Sequence, residues 1–213
     1  MPSSLIRLAK DETAEARQRL FAEVSRLVAT DLEDRSDSEL ELFAEVMLKL
    51  YGSSATDDRL QLAQKLAPST HSPAELLRRI ARDEVKIAKP VLAESQRLTR
   101  QDLLDLVEQV SEEHIQVLAR RRDLPVEVSD ALAARGSAAV LRILAANRDI
   151  KLSRETMNSL VKLAAEDKTL RDGLTQRSDL NPSVCQELLP LVDDEAKKRL
   201  RNVIEGALSK EQL

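Results

Sequence analysis

Residue types able to carry chemistry are thinly spread along this chain. His71 and His114 are its two histidines and Cys185 its single cysteine. Two imidazoles form a metal site only if carboxylates complete it, and the spacings of HExxH, paired CxxC and EF-hand sites are absent. Cys185 has no sequence partner that would make it a thiol nucleophile; beside Val184 it reads as a packing residue. There is no glycine-rich phosphate loop and no GxSxG. Acidic residues number 37 of 213, so carboxylate pairs arise by chance and do not indicate glycosidase or phosphatase chemistry. No catalytic residue, metal ligand or cofactor is expected.

The remaining candidate is a charged pattern that repeats. Three segments align: LARRRDLPVEVSDAL from Leu118, LAANRDIKLSRETMN from Leu144 and LTQRSDLNPSVCQEL from Leu174. Each reaches an aspartate five positions on (Asp123, Asp149, Asp179), followed by Leu124, Ile150 or Leu180. Basic residues precede the aspartates: Arg121 and Arg122, Arg148, and Arg177. Stacked in parallel, these arginines form a row on one edge that receives carboxylates or phosphates of a partner. Alternatively, each pairs locally with its aspartate. The aspartates are expected to be structural, capping helices or fixing turns. Asn147 either ends a helix in the left-handed conformation or uses its amide to link neighbouring repeats.

Helices must position this pattern. Offsets of 26 and 30 residues suit one helical hairpin per unit, and stacked hairpins bury a core that none could bury alone. The composition agrees: 42% apolar, 33% charged, four glycines and seven prolines favour helix over sheet. Phe21, Phe43 and Tyr51 are the only aromatics, so leucine, alanine and valine must build the core. One helix or a broken pair is expected over 3–30, capped by Ser3 or Ser4, with a break near 11–13. A second starts after Ser36 or Asp37, capped by Asp37 or Ser38, and ends at Gly52; a third covers 56–66. PSTHSP at 68–73 is the internal linker candidate, with Ser72 as cap and Pro73 at the first helical position. Helices follow at 73–81, 84–95, 100–110 and 112–120, with Pro90 kinking or starting one. Ser153 caps a later helix, and the last begins near Asp193. The division expected is an N-terminal helical bundle over 1–67, separate from or continuous with the array, and a repeat region over 73–213 closed by a capping helix.

The run ARRRDLPVEVSDALAARGSAAVLRILAANRDIKLS, with LVKLAAEDKTLRDGLTQRSDL after it, resembles an alphaproteobacterial family known as domain of unknown function 2336. The resemblance extends over roughly residues 70–190 and rests on the joint spacing of Arg121, Leu124, Val128, Asp130, Ala131, Leu132, Gly136, Val140, Leu144 and Asn147. It implies HEAT-like helical repeats and no catalytic assignment. It also implies a longer C-terminal region in other members, whose functions this chain would lack.

The expectation is therefore an all-α protein: an irregular HEAT-like, right-handed α-solenoid of stacked antiparallel helix pairs, noncatalytic, recognising a protein or peptide through one face. Nucleic-acid binding through RRIARDEVKIAK or LARRR is the alternative. A net charge of −4, interspersed acids and the lack of stacking aromatics weigh against it. An enzyme is the third reading. With no signal-like or membrane-spanning run, the default location is cytoplasmic; self-association into a homo-oligomer stays open.

Overall fold

The structure, a computed structural model, describes residues 9, 11, 13–28 and 31–211. Among these are thirteen α-helices and no strand. They are α1 Ala14–Val28, α2 Asp37–Leu50, α3 Thr56–Leu66, α4 Ala74–Ile80, α5 Val85–Glu94, α6 Arg100–Gln109, α7 Glu112–Leu118, α8 Val126–Arg135, α9 Ala138–Ala146, α10 Arg154–Ala164, α11 Lys168–Thr175, α12 Pro182–Leu188 and α13 Asp194–Glu211. The Ser3 or Ser4 cap and the first part of the helix expected over 3–30 lie outside the described residues. The break expected at 11–13 is where α1 starts: Thr13 Oγ1 accepts the Ala16 amide at 3.2 Å.

Local chemistry sets most helix starts, with two departures from expectation. Ser36, not Asp37 or Ser38, caps α2: its hydroxyl accepts the Glu39 amide while Glu39 accepts the Ser36 amide at 2.9 Å. This reciprocal box satisfies two otherwise orphaned donors. Pro73, not Ser72, occupies the cap position of α4. Ser72 is fully buried and donates to the Leu66 carbonyl at 2.7 Å, which also accepts the Ser69 amide at 3.3 Å, so its hydroxyl serves the end of α3 and not the start of the next helix. Ser137, Ser153, Asp167 and Asn181 cap α9 to α12, and Asp193 caps α13 through the Ala196 amide. Pro90 lies inside α5, which continues through it.

The chain divides into two compact units, one ending at Leu106 and the other beginning at Val107. The linker candidate at 68–73 falls within the first unit, where α3 packs on α5 and α2 on α4 across it. Tyr51 joins the two sides of that segment. Fully buried, it stacks edge-on to Phe21 at 6.1 Å, donates to Asp83 Oδ2 at 2.6 Å and lies under the Arg79 guanidinium at 4.5 Å. Burial, then the bond to Asp83 and its charge, push the phenol far above its ordinary range, so it stays a donor.

In the second unit, helices two apart pack together: α7 on α9, α9 on α11, and α10 on α12. Leu160, Val161, Ala164, Leu170, Leu174, Val184, Cys185 and Leu188 form a continuous core. Burial raises the pKa of the Cys185 thiol. Two glycines are required by space, since no described residue has positive φ. A Cβ on Gly173 would come within 3.1 Å of the Ala146 nitrogen, so its absence lets α11 close on the end of α9. A Cβ on Gly136 would lie 2.5 Å from Val140 Cβ and 2.7 Å from the Leu132 carbonyl oxygen. Gly136→Ala is therefore expected to cost about 1–3 kcal/mol in urea denaturation. Gly52→Ala, where no atom lies within 4 Å, should be neutral or slightly stabilising; equal effects at the two sites would refute the packing argument.

Candidate recognition surfaces

The three aspartate-centred turns place the row of basic residues differently from expectation. Aligned on Asp123, Asp149 and Asp179, the residue two positions earlier is Arg121, Asn147 or Arg177. This is an inward position. Arg121 and Arg177 are 3% and 5% exposed, so they cannot form the outward guanidinium row, and their roles lie in holding turns together.

Arg177 has the fullest set of partners. Its Nε and Nη2 donate to both Asp179 carboxylate oxygens at 2.7 Å. Nη2 also donates to the Ile150 carbonyl at 2.7 Å, and Nη1 to the carbonyls of Leu144 and Asn147. Those carbonyls belong to the end of α9 and the turn after it, one repeat earlier. Helix ends leave their last carbonyls without intrahelical donors and carry partial negative charge, so a cation there satisfies both requirements. The bidentate carboxylate offsets the cost of burying the guanidinium.

Asn147 makes the same link one repeat earlier. Its Nδ2 donates to the carbonyls of Ala119 at 2.9 Å and Arg121 at 2.6 Å, after the end of α7, while its Oδ1 accepts the Asp149 amide at 3.2 Å. Its backbone is extended at φ −78°, ψ 102°, so the left-handed ending is not what occurs. The amide's link to the neighbouring repeat is. Arg121 in turn binds both Asp123 oxygens at 3.0 and 2.8 Å. The first two of these turns thus each offer a carbonyl to the corresponding side chain of the next.

Other polar links recur at similar separations. In the second unit, Thr156 donates to Asp130 at 2.6 Å, Arg135 to the Val110 carbonyl at 2.9 Å, Arg142 to Asp167 at 2.7 Å and Ser137 to Glu112. In the first, Arg78 donates to Asp102 at 2.7 Å and Arg97 to the Ser72 carbonyl at 3.2 Å. These pairs are 24 to 26 residues apart. The alignment of aspartate turns did not include the first-unit links, although Arg100, Gln101, Asp102 and Leu103 carry the same R-x-D-aliphatic pattern there; that pattern and the charge spacing of Arg78 and Asp102 were their available signal.

Two members of the original row face solvent. Arg148 is exposed, and Arg122 is exposed and paired with Asp149 at 3.6 Å. The more substantial concavity is elsewhere, in the first unit. A groove of about 820 Å³ runs between α2 and α4. Leu40, Ala44, Leu48 and Ala74 supply its apolar floor, and Asp37, Glu41, Glu45 and Glu75 its carboxylates. Lys49, His71, Arg78 and Arg97 also line it. Sequence reading missed this groove because the floor residues belong to an ordinary amphipathic stripe. Among the described residues, no cluster of three His, Cys, Asp or Glu side chains is arranged to hold a metal, and no helix is long and apolar enough to cross a membrane.

A protein that is all-helical among its described residues, with side chains that reach backbone carbonyls of earlier helix ends, is the class these features define. The chain belongs to the bacterial family described as uncharacterised protein conserved in bacteria, DUF2336, whose model matches residues 87–212, more than half of its length. The carbonyl links of the second unit lie within that match; the α2–α4 groove precedes it except for Arg97. Comparison with curated proteins and with solved structures returns no match.

Two stability tests address these contacts. Asn147→Ala should cost about 1–3 kcal/mol and Arg177→Met about 3 kcal/mol in urea denaturation, since each strands buried carbonyls. Arg148→Glu should change stability by no more than about 0.5 kcal/mol; a similar cost for all three would dismiss the links. The second test uses pH. Burial opposes the charge of Asp102, but the Thr99 amide and hydroxyl and the Arg78 guanidinium outweigh it and hold its carboxyl below the ordinary value. The resulting stability is complete above the unfolded aspartate value near 3.9 and is lost as pH falls through the lower folded value. Asp102→Asn should thus be less stable at pH 7, with the gap closing below about pH 3.9.

Proposed function

We propose that the chain is a noncatalytic scaffold that recognises a protein or peptide through a face of stacked, antiparallel helix pairs of HEAT-like, right-handed kind, as the resemblance to alphaproteobacterial members implies. It acts without cofactor, in the cytoplasm. The observation that carries this reading is the run of carbonyl links from Arg177 to the Asn147 turn and from Asn147 to the Arg121 turn. Links of this kind hold successive units in a fixed relation before any partner arrives, which lowers the ordering cost of binding. The packing of helices two apart supports the same reading.

The test is affinity capture from native lysate with nuclease present, followed by cross-linking and mass spectrometry. A protein retained after nuclease treatment and cross-linked to defined helices is the expected result. The same capture with Arg122→Glu and Arg148→Glu reports whether the exposed arginines belong to the contact. Loss of all captured material on nuclease treatment would replace this reading with nucleic-acid binding. Tight calorimetric binding of a small metabolite, with no macromolecule retained, would overturn it.

A further inference from the structure

We propose that the α2–α4 groove is a docking site for a cationic amphipathic helix of a partner protein. This rests on the recognition reading above and supplies its site and the chemistry of its partner. Leu40, Ala44 and Leu48 recur every four residues along α2 and line the groove with Ala74 of α4; Leu40 and Ala44 are buried and Leu48 and Ala74 half-buried, so the floor is a recessed apolar track with helical repeat. The lining of α2 from Asp37 to Lys49 is roughly 18 Å long at 1.5 Å per residue. That length matches about three turns of a guest helix with apolar anchors at i, i+3 or i+4, and i+7.

Charge selects the guest. The cations lining the groove are engaged within the chain: Lys49 pairs with Glu45 at 2.6 Å, Arg78 with Asp102 at 2.7 Å, and Arg97 with the Ser72 carbonyl at 3.2 Å. Asp37, Glu41 and Glu75 are exposed and meet no cation among the described residues. The rim therefore offers unpaired carboxylates above an apolar floor. A guest with lysine or arginine flanking its apolar face compensates them, whereas an acidic helix or a nucleic-acid backbone is repelled.

Two labelled synthetic peptides test this by fluorescence anisotropy with the full chain. Both carry the same leucine face at i, i+3, i+4 and i+7; one has lysine and the other glutamate at the polar positions. The lysine peptide should bind at least tenfold more tightly, and the preference should shrink as salt is raised. Glu41→Lys with Glu75→Lys should weaken it tenfold or more, Glu41→Gln with Glu75→Gln less, and Leu48→Glu should also weaken it, each variant checked by circular dichroism. Glu108→Lys with Glu187→Lys, the same charge change on exposed positions elsewhere, should bind as the unaltered chain does. Failure of the lysine peptide to bind, equal binding of the two peptides, insensitivity to the groove variants, or displacement by duplex DNA from the groove would overturn the proposal. A captured lysate protein cross-linked outside the groove would then leave the recognition reading standing without this site. Peptide binding with no captured protein would do the reverse.

Discussion

A helix that ends inside a protein must find donors for its last carbonyls, and the second unit is organised around that constraint. Water satisfies such groups at a surface, but Leu144 and Ile150 are buried, and an unpaired carbonyl in that setting costs as much as a lost hydrogen bond. Beside the Asn147 backbone amide, which reaches the Leu144 carbonyl at 3.3 Å, Arg177 supplies donors to Leu144 and Ile150, and the Asn147 side chain supplies one to Ala119 after the end of α7. Asn147 is both a donor to the turn before it and, through its own carbonyl, an acceptor from Arg177, so the two links run in one direction along the leucine core. Gly173 belongs to the same region: a Cβ there would lie 3.1 Å from the Ala146 nitrogen, so its absence favours the close approach of α11 to the end of α9.

The first unit meets a related constraint with different groups. The Leu66 carbonyl at the end of α3 accepts both the Ser69 amide and the Ser72 hydroxyl of the following turn, and the Ser72 carbonyl in turn accepts from Arg97. Tyr51 adds a buried phenol whose single donor goes to Asp83 and whose ring lies under Arg79. A neutral phenol fits here better than a second carboxylate would, since it gives Asp83 a strong acceptor role while Arg59, 3.5 Å from the same oxygen, balances the charge. The turn that looked like a linker is thus held on both sides, which is why it does not divide the chain.

Much of the helical pattern was legible because it depends on local chemistry. Apolar residues at helical spacing marked 56–66, and Ser153 is the cap of α10 as read. Local chemistry also explains the errors. Ser36, Asp37 and Ser38 are all competent caps, and Glu39 decides among them through its reciprocal bond, a preference that composition alone leaves open. Ser72 was misread because its partner is a carbonyl six residues back. The arginines were aligned by charge, which grouped Arg148 with Arg121 and Arg177. Aligning instead by distance to the aspartate puts Asn147 in their place and separates inward from outward positions. The groove was hidden for another reason: a helix stripe announces that a face is covered or recessed, but not how far apart the neighbouring helices stand.

The exchange of Arg for Asn at that inward position shows what the links demand. A guanidinium spans both its own aspartate and three carbonyls of the preceding repeat, so Arg177 needs Asp179 to neutralise it. An amide carries no charge and reaches only two carbonyls, so Asn147 does not need Asp149 as a counterion. Its Oδ1 instead binds the Asp149 amide and shapes the turn. The released carboxylate faces outward, where Arg122 of the preceding turn approaches it. The aspartate is therefore common to the three turns while its partner changes from a buried guanidinium to a backbone turn and an exposed one. What the position requires is N–H groups aimed at the previous helix end, and charge is secondary to that. An edge built this way turns Arg121 and Arg177 inward and leaves Arg122 and Arg148 as the members of the row that face solvent.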